Sequence, residues 1–575
     1  MKKFNTTTIC IPSKHYMVDP SKWVNEIKDL VDEGNYFVIN RARQYGKTAT
    51  LNALKKVLRN EYYVLSLGFQ GIGNAGFKTE EVFVQEFCRL IWNQRKAFGY
   101  IPEESLESIN HCRISENPRV RLGELFDILK NWCEKSDKPV VLIIDEVDSA
   151  SNNQVFIDFL GQLRDAYILR DSDDFPTFHS VILAGVTDIQ YLKSKIRSED
   201  QHEVNSPWNV AAMFKIDMSL SKEGICGMLD EYEADHHTGM NTANIATMIR
   251  DYTNGYPFLV SRICQIIDKE LVPDVFESLT EAWTEHGVHE AVKILMTEDN
   301  TLFDSLVGKL VNYPDLNAQL EKMLLRGETI EYLPDNEEQK QLRMYGFIVN
   351  DHNTVAVSNK IFEIRLYKKY IGESRFAEEL RPDALKHKQA FIQGGWLNVP
   401  LIMERFIQHH EQIWENPEDE SNEARIEHFL EENGRQRFLT YLSPIVNGVG
   451  TYEIEPQTRD GRRMDIVIHY LGKRYIIELK IWHGEQRNIE GEKQIIGYLD
   501  YWNLDTGYML SFNFNKKKER ASAASKSGIR FYLKEQCKRQ LNMIPSWRLF
   551  LNVSAQKSQC AANRVCHELS RISMG

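Results

Sequence analysis

The sequence predicts a multidomain α/β protein. A parallel sheet with helices fills the first half, a helical middle follows, and a smaller αβ domain lies toward the end. Three stretches carry that expectation. Tyr36-Phe37-Val38-Ile39 is a short apolar strand running into a loop that ends Gly46-Lys47-Thr48. Val140-Val141-Leu142-Ile143-Ile144 is an unbroken apolar run that stops at Asp145-Glu146. Alternating apolar segments flank Leu471-Gly472-Lys473-Arg474, and the second ends in Glu478-Leu479-Lys480.

The chain has 575 residues, enough for about three or four domains with cores of their own. Its 42% apolar and 26% charged residues are those of an ordinary globular protein. It contains no run of about 18 apolar residues, so no membrane span is expected. The opening stretch is broken by Pro12 and lacks an apolar core of leader length, which points to a cytoplasmic protein. Nine cysteines without a Cys-x-x-Cys argue against a disulfide framework or a zinc ribbon. Cys560, Cys566 and His567 read as tail rather than a metal tract. A net charge of −12 makes the whole surface a poor nucleic-acid magnet. Any such contact must be local, at Arg459, Arg462 and Arg463 or at Lys516-Lys517-Lys518.

In chain order, His15-Tyr16-Met17-Val18 is open to two readings, approach to a base or plain packing. The strand at 36–39, its loop and a helix over 49–59 follow the order of a phosphate cradle. Backbone N–H groups at the helix N-terminus face an anion. Lys47 reaches the β- and γ-phosphates and Thr48 offers a hydroxyl to Mg²⁺. The first glycine of the usual Gly-x-x-x-x-Gly-Lys-[Ser/Thr] motif is Arg41 here. The run ending at Asp145 has the continuous apolarity of a strand buried on both faces of a parallel sheet. Asp145 can hold the Mg²⁺ water shell and Glu146 can polarise an attacking water. Residues 62–67 and 178–184 predict further strands, and 80–94 and 119–133 predict helices. The last of these strands empties at Gly185-Val186-Thr187-Asp188, where Thr187 and Asp188 are candidate sensor groups.

Arg43-Gln44-Tyr45-Gly46-Lys47-Thr48, Ile143-Ile144-Asp145-Glu146-Val147-Asp148, Ser206-Pro207-Trp208-Asn209 and Asn254-Gly255-Tyr256-Pro257 together resemble the AAA-like P-loop ATPases close to the STAND group. The resemblance implies an ASCE-type parallel sheet over 1–214 and a lid at about 215–272 within a lid-and-connector region, 215–300. It implies ATP and Mg²⁺ as cofactors, with Arg43, Gln44, Tyr45, Gly46, Lys47, Thr48, Ala49, Asp145, Thr187 and Pro257 at the nucleotide. The Gly-x-Pro stretch is similar to a nucleotide-sensing turn in STAND proteins, and it equally reads as a helix start with Pro in its first turn. Arg164, Arg170 and Arg197 are all placed to be an arginine finger and the sequence does not separate them.

Residues 301–372 run helices over 302–311, 316–325 and 339–344, then short strands around Asp351-His352-Asn353. This pattern resembles a winged helix, a joint or a DNA-binding module. Mixed helices over 373–422 end in the acidic linker run 415–423. Helices over 423–432 and 435–445 and a strand over 451–455 precede the Leu471-Gly472 hairpin. With Gly472 first in a type II′ turn, Tyr470 faces Tyr475, Ile468 faces Ile477, Ile466 faces Leu479 and Asp465 faces Lys480. Six apolar side chains then share one face, and Asp465, Glu478 and Lys480 share the other. Two carboxylates beside a lysine can hold a hard divalent cation. A helix over 492–501 places Gln494 and Tyr498 one turn apart, and 506–514 predicts a last strand.

Asp465, Glu478-Leu479-Lys480 and Gln494/Tyr498 resemble the PD-(D/E)XK nuclease superfamily with its QxxxY extension. That resemblance implies a restriction-endonuclease-like αβ domain over 423–550, with a loose tail at 551–575. It implies Mg²⁺ held by Asp465 and Glu478, with Lys480, Gln494 and Tyr498 completing the catalytic set. Glu427, Glu431, Glu432 and Glu455 are candidates for a further ligand. The architecture implies an ATP-regulated nuclease, acting on DNA rather than RNA in defence against phage or mobile DNA. A homo-oligomer without membrane attachment is expected, and a partner protein is left open. The alternative is a STAND-like switch whose nuclease-like domain only binds nucleic acid or a partner. An ATP-driven motor is disfavoured by the single P-loop.

Overall fold

The structure is a computed structural model that describes residues 2–7, 9–115, 119–150, 153–173, 175–186, 208, 210–326, 330–372, 377–413, 423–446, 450–454, 466–471, 473–481, 495, 497, 499, 504, 506–512 and 527–533. The chain divides into two compact units, 1–317 with 330–362, and 318–329 with 363–575. No helix among the described residues is long and apolar enough to cross a membrane.

The first unit opens with α1 (Ser21–Asp32), β1 (Tyr36–Asn40), α2 (Lys47–Leu58), β2 (Tyr63–Gly68), α3 (Glu80–Gln94), α4 (Glu103–Ile114) and α5 (Leu122–Lys135). It continues with β3 (Val140–Asp145), α6 (Gln154–Asp173) and β4 (Ser180–Gly185). The strands form one parallel sheet ordered β1-β4-β3-β2. A parallel bridge from Phe37 to Ala212 continues it on the far side of β1. Parallel strands need crossovers, and the helices supply them. Alternate residues serve two cores: Tyr36, Val38, Leu142 and Ile144 on one face, Phe37, Ile39, Val141 and Ile143 on the other. Burial on both faces explains why these strands are continuous apolar runs. The strand feeding the Lys47 loop and the strand ending at Asp145 are separated by β4. Register places Asn40 beside Gly185 and Asp145 beside Ala184, so three strand ends converge on one edge.

Three helices follow, called the lid below, α7 (Lys222–His236), α8 (Thr242–Thr253) and α9 (Pro257–Lys269), then α10 (Leu279–Ala282), α11 (Glu285–Leu295) and α12 (Thr301–Asn312). Ser221, Asn241 and Thr284 each cap a helix by accepting a backbone N–H. The segment before α1 packs on this lid. Phe4 stacks on Tyr232 at 5.2 Å, Tyr16 donates to Asp235 Oδ2 at 2.7 Å, and His15 Nδ1 accepts from Ile11 N–H at 2.9 Å. Of the two readings of His15 and Tyr16, these contacts are packing. After α13 (Pro314–Arg326) come α14 (Glu337–Met344) and the hairpin β5 (Ile348–Asp351) and β6 (Thr354–Val357), turned at His352-Asn353.

The second unit holds most of α13, α15 (Lys360–Gly372) from Glu363 on, α16 (Ala377–Phe391), a hairpin of β7 (Ile392–Gln393) and β8 (Trp396–Leu397), α17 (Val399–Ile413) and α18 (Glu423–Val446). A five-stranded sheet follows, ordered β13-β12-β11-β10-β9, from β9 (Gly450–Ile454), β10 (Ile466–Tyr470), β11 (Lys473–Ile481), β12 (Thr506–Phe512) and β13 (Ser527–Leu533). Strands β9, β10 and β11 meander antiparallel, whereas β12 lies parallel to β11. Residues 495, 497 and 499 of the crossover are helical. Ile495 and Leu499 pack on Val467, Ile476 and Met509, an approach that Gly507 permits because a Cβ there would meet Ile495 Cγ2 at 2.8 Å.

Several expectations are corrected. The hairpin pairs Tyr470 with Lys473, Ile468 with Tyr475 and Ile466 with Ile477, two residues from the expected register. The loop is Leu471-Gly472, and Leu471 itself takes a positive φ of 47°, where a type II′ turn at Gly472 was expected. A slip of two residues keeps every side chain on its face. The apolar face therefore stands, and Ile466, Ile468, Tyr470, Ile477 and Leu479 are buried. The helices expected at 423–432 and 435–445 are one helix, α18, that runs through Gly434. The strand at 506–512 is not the last, since β13 pairs antiparallel with it.

Candidate active site

The site is built on the loop between β1 and α2. Gln44 and Gly46 take positive φ, 56° and 80°, and Gly46 starts α2 as its N-cap. That geometry turns the loop back over the helix N-terminus, where free N–H groups and the helix dipole favour an anion. Lys47 Nζ donates to Arg41 O at 2.8 Å and to Ala42 O at 3.0 Å, so its ammonium lies inside the loop. Burial lowers its pKa, opposed by the charges of Asp148, Asp145 and Glu146. Thr48 Oγ1 donates to Asp145 Oδ2 at 2.8 Å, which joins the start of α2 to the end of β3.

Asp145 Oδ1 accepts the N–H of Glu146 at 2.9 Å, and Glu146 takes a positive φ of 57°. Burial raises the pKa of Glu146, and the Asp145 charge raises it further. Asp148 Oδ2 accepts the N–H of Val186 at 2.8 Å, tying the exit of β3 to that of β4. Asp148 thus joins the acidic group although nothing in its spacing marks it. Thr187 and Asp188, the candidate sensors just beyond Val186, lie outside the described residues.

Arg41, standing in place of the motif's first glycine, is structural. Its guanidinium donates to Ile216 O at 2.6 Å and to Asn40 O at 2.9 Å, and lies 5.0 Å from the centre of the Phe214 ring. The lid reaches the loop through the turn between α8 and α9. Tyr256 donates its hydroxyl to Arg43 O, and its ring meets Tyr45 edge-on at 4.9 Å. Pro257 is the first residue of α9, and a Cβ built on Gly46 would lie 3.9 Å from its Cγ. The helix-start reading of Pro257 is the one the backbone displays, and its ring lies beside the Lys47 loop. Gln44 donates to Thr301 Oγ1 at 3.3 Å, and Ala49 lies in the first turn of α2.

Of the arginine candidates, Arg170 donates to Gly34 O at 3.0 Å and His179 O at 2.8 Å, beside the entrances of β1 and β4. It braces the sheet edge remote from Lys47 of its own chain. Arg197 lies outside the described residues.

In the second unit, Glu478 lies in β11 and is buried at 2% exposure. It shares parity with Ile476, whose face is covered by Ile495 and Leu499. Lys480 is placed by backbone alone in β11, opposite Ser511 of β12. Asp465, Gln494, Tyr498 and Glu455 lie outside the described residues, as do the basic clusters at 459–463 and 516–518. Glu427, Glu431 and Glu432 are on α18. Among the described residues no group of three or more His, Cys, Asp or Glu is placed to hold a metal ion.

A family model described as an AAA-like domain matches residues 4–373. The fold is similar to that of the Walker-type ATPase paby2304 of Pyrococcus abyssi, at 14% identity over 63% of this chain and 99% of that one, with a TM-score of 0.43. It is similar to the Aeropyrum pernix ORC2 protein in its ADPNP–ADP complexes, at 13% identity over 64% and 98%, TM-score 0.37. The Thermotoga maritima RuvB Holliday junction branch migration motor gives 15% identity over 60% and 92%, TM-score 0.29. No curated protein matches the sequence.

Proposed function

The chain belongs to the AAA-like domain family, and from that premise we propose a nucleotide-gated nuclease, with ATP turned over in the first unit and DNA cut in the second. The observation that carries the first half is the joined set Lys47, Thr48, Asp145 and Glu146 at one edge of a parallel sheet. Ligands bind outside the carboxyl ends of such strands. A triphosphate at the α2 N-terminus would take the Lys47 ammonium from the carbonyls it now holds. Thr48 and Asp145 offer the hard oxygens that suit Mg²⁺, already 2.8 Å apart. Bound there, the ion would offset charge on the phosphates. Glu146 orients and deprotonates the attacking water, with Arg43, Gln44, Tyr45, Gly46 and Ala49 lining the phosphates. Thr187 would sense the γ-phosphate, and Pro257 would carry the lid.

For the second unit the support is topological. A helix precedes an antiparallel meander, a crossover helix follows, and a parallel strand joins β11 on the side away from β10. Among the described residues the ladder runs as far as Ile466 paired with Ile477, the neighbours of Asp465 and Glu478 in sequence. Two carboxylates beside Lys480 are the donor set for Mg²⁺, which would acidify a bound water and clamp the scissile phosphate. Gln494 and Tyr498 position the DNA strand. The role we assign is cutting of phage or mobile DNA, licensed by nucleotide state in a homo-oligomer.

The test uses the full chain with plasmid DNA or RNA, Mg²⁺ or EDTA, with and without ATP. Asp465→Ala and Glu478→Ala should each abolish Mg²⁺-dependent cutting and leave ATP binding intact. Cutting that persists in both variants removes the nuclease assignment. Nicking that is indifferent to ATP and to Glu146→Gln removes the gating.

A further inference from the structure

The β5–β6 hairpin and α14 belong to the same compact unit as the Lys47 loop, and the corner between α14 and β5 sits on that loop. Gly346 makes the corner at a φ of +79°. A Cβ built on it would stand 2.7 Å from the Cβ of Ala42, closer than side-chain carbons pack, with Tyr256 at 4.0 Å. The corner is then tied to the lid. Ser358 Oγ donates to Gly346 O at 2.6 Å, Ser358 N–H donates to Phe347 O at 2.8 Å, and Asn254 Nδ2 donates to Ser358 O at 2.8 Å. The neighbouring Tyr345 packs near Tyr313, with ring centres 6.3 Å apart. Burial raises its phenol pKa, helped by the Tyr313 hydrogen bond and by the negative charge of Asp148.

Ala42 is the residue through which these contacts meet the phosphate-binding chemistry. Its carbonyl accepts from Lys47 Nζ at 3.0 Å, and its methyl faces Gly346. A phosphate that draws the ammonium away releases that carbonyl, and the loop cannot shift toward the corner without meeting Gly346.

We propose that the Tyr345-Gly346 corner is a positioning element of the nucleotide site, holding Ala42 in place and passing loop movement to the β5–β6 hairpin and, through Ser358 and Asn254, to the lid. The inference rests on nucleotide binding at the Lys47 loop and assigns that site its second wall. Gly346 acts through Ala42 rather than on the phosphates, and Tyr345 holds the corner against Tyr313.

The experiment measures release of fluorescent N-methylanthraniloyl-ADP from the full chain by stopped flow, with thermal melting of the nucleotide-free protein as the folding control. Gly346→Ala should speed release about tenfold, within the range that forcing a methyl into a packed contact produces. The double variant Gly346→Ala with Ala42→Gly removes the opposing methyl and should return the rate to within about threefold of the parent. A loss that came from the strain of alanine at positive φ alone would give no such rescue, because that strain remains in the double variant. Tyr345→Phe keeps the ring and should change release about threefold, as expected for one ordinary hydrogen bond. A folded Gly346→Ala with the parent rate, or a double variant no better than the single, overturns the proposal. If Gly346→Ala does not fold, a parent-like rate in Tyr345→Phe overturns it. A parent chain that binds no nucleotide removes the nucleotide reading itself, a different result from a parent that binds beside indifferent variants.

Discussion

The turn between α8 and α9 allows a quantitative test of how the lid is held. Gly255 sits there at a φ of +70°, and its carbonyl accepts the N–H of Leu220 at 2.9 Å. A Cβ on Gly255 would stand 2.3 Å from Leu220 O and 2.9 Å from Leu220 N. Both are backbone atoms, so neither can swing aside as a flexible side chain would. Alanine in the left-handed region costs about 1 kcal/mol, and forcing extra volume into a packed contact costs about 1–3 kcal/mol more. Gly255→Ala should therefore destabilise the lid by about 2–4 kcal/mol. Gly239 supplies the control: its φ is +79°, and nothing lies within 4 Å of a Cβ built on it. Gly239→Ala meets the strain alone and should cost about 1 kcal/mol. Urea midpoints of parent and both variants give the difference, and hydrogen exchange across α8 and α9 shows where the loss falls. Because Pro257 follows two residues on and faces Gly46, Gly255→Ala should also weaken nucleotide binding while Gly239→Ala does not. Equal midpoints for the two variants would refute the steric reasoning.

Three further outcomes follow from the same geometry. Arg41→Gly restores the motif's missing glycine yet removes the bond to Ile216 O and the stacking on Phe214. It should cost about 1–3 kcal/mol, and an unchanged or higher melting temperature contradicts the role given to Arg41. In the role proposed for it Glu146 must be ionised, and burial and the Asp145 charge raise its pKa above the usual 4.5. ATP turnover should therefore fail as pH drops through a value above 4.5, and an acid limb of kcat/KM at or below 4.5 would oppose the assignment. Arg170→Ala loses two bonds to backbone carbonyls and should lower stability by about 1–3 kcal/mol with kcat per folded molecule unchanged. A collapse of kcat at undiminished stability would reinstate Arg170 as a finger.

What could be read from the residues was what burial writes into them. Strands β1, β3 and β4 are covered on both faces, so their apolarity is unbroken, and β3 announced its end with Asp145. The register of β10 and β11 could not be read the same way. Moving the pairing by two residues buries the same side chains, and the tie is broken by backbone geometry at Leu471, a leucine in a conformation that its type rarely adopts. The gap between the helices expected at 423–432 and 435–445 closes because Gly434 is buried inside α18, where packing outweighs its poor propensity. Strand β13 was legible in the alternation of Ile529, Phe531 and Leu533 and was missed. The part played by Asp148 was not legible. Its partner, Val186, is brought to it only when β3 and β4 lie side by side.

The contacts of the first strap of chain set an order of assembly. Phe4, Thr6 and Tyr16 find their partners at Tyr232, Gln265 and Asp235, more than 200 positions downstream. During synthesis at about 5–20 residues per second, this strap waits on the order of ten seconds or longer without its aromatic partners. The sheet can form in the interval, whereas the lid can be sealed only after α7 and α9 leave the ribosome.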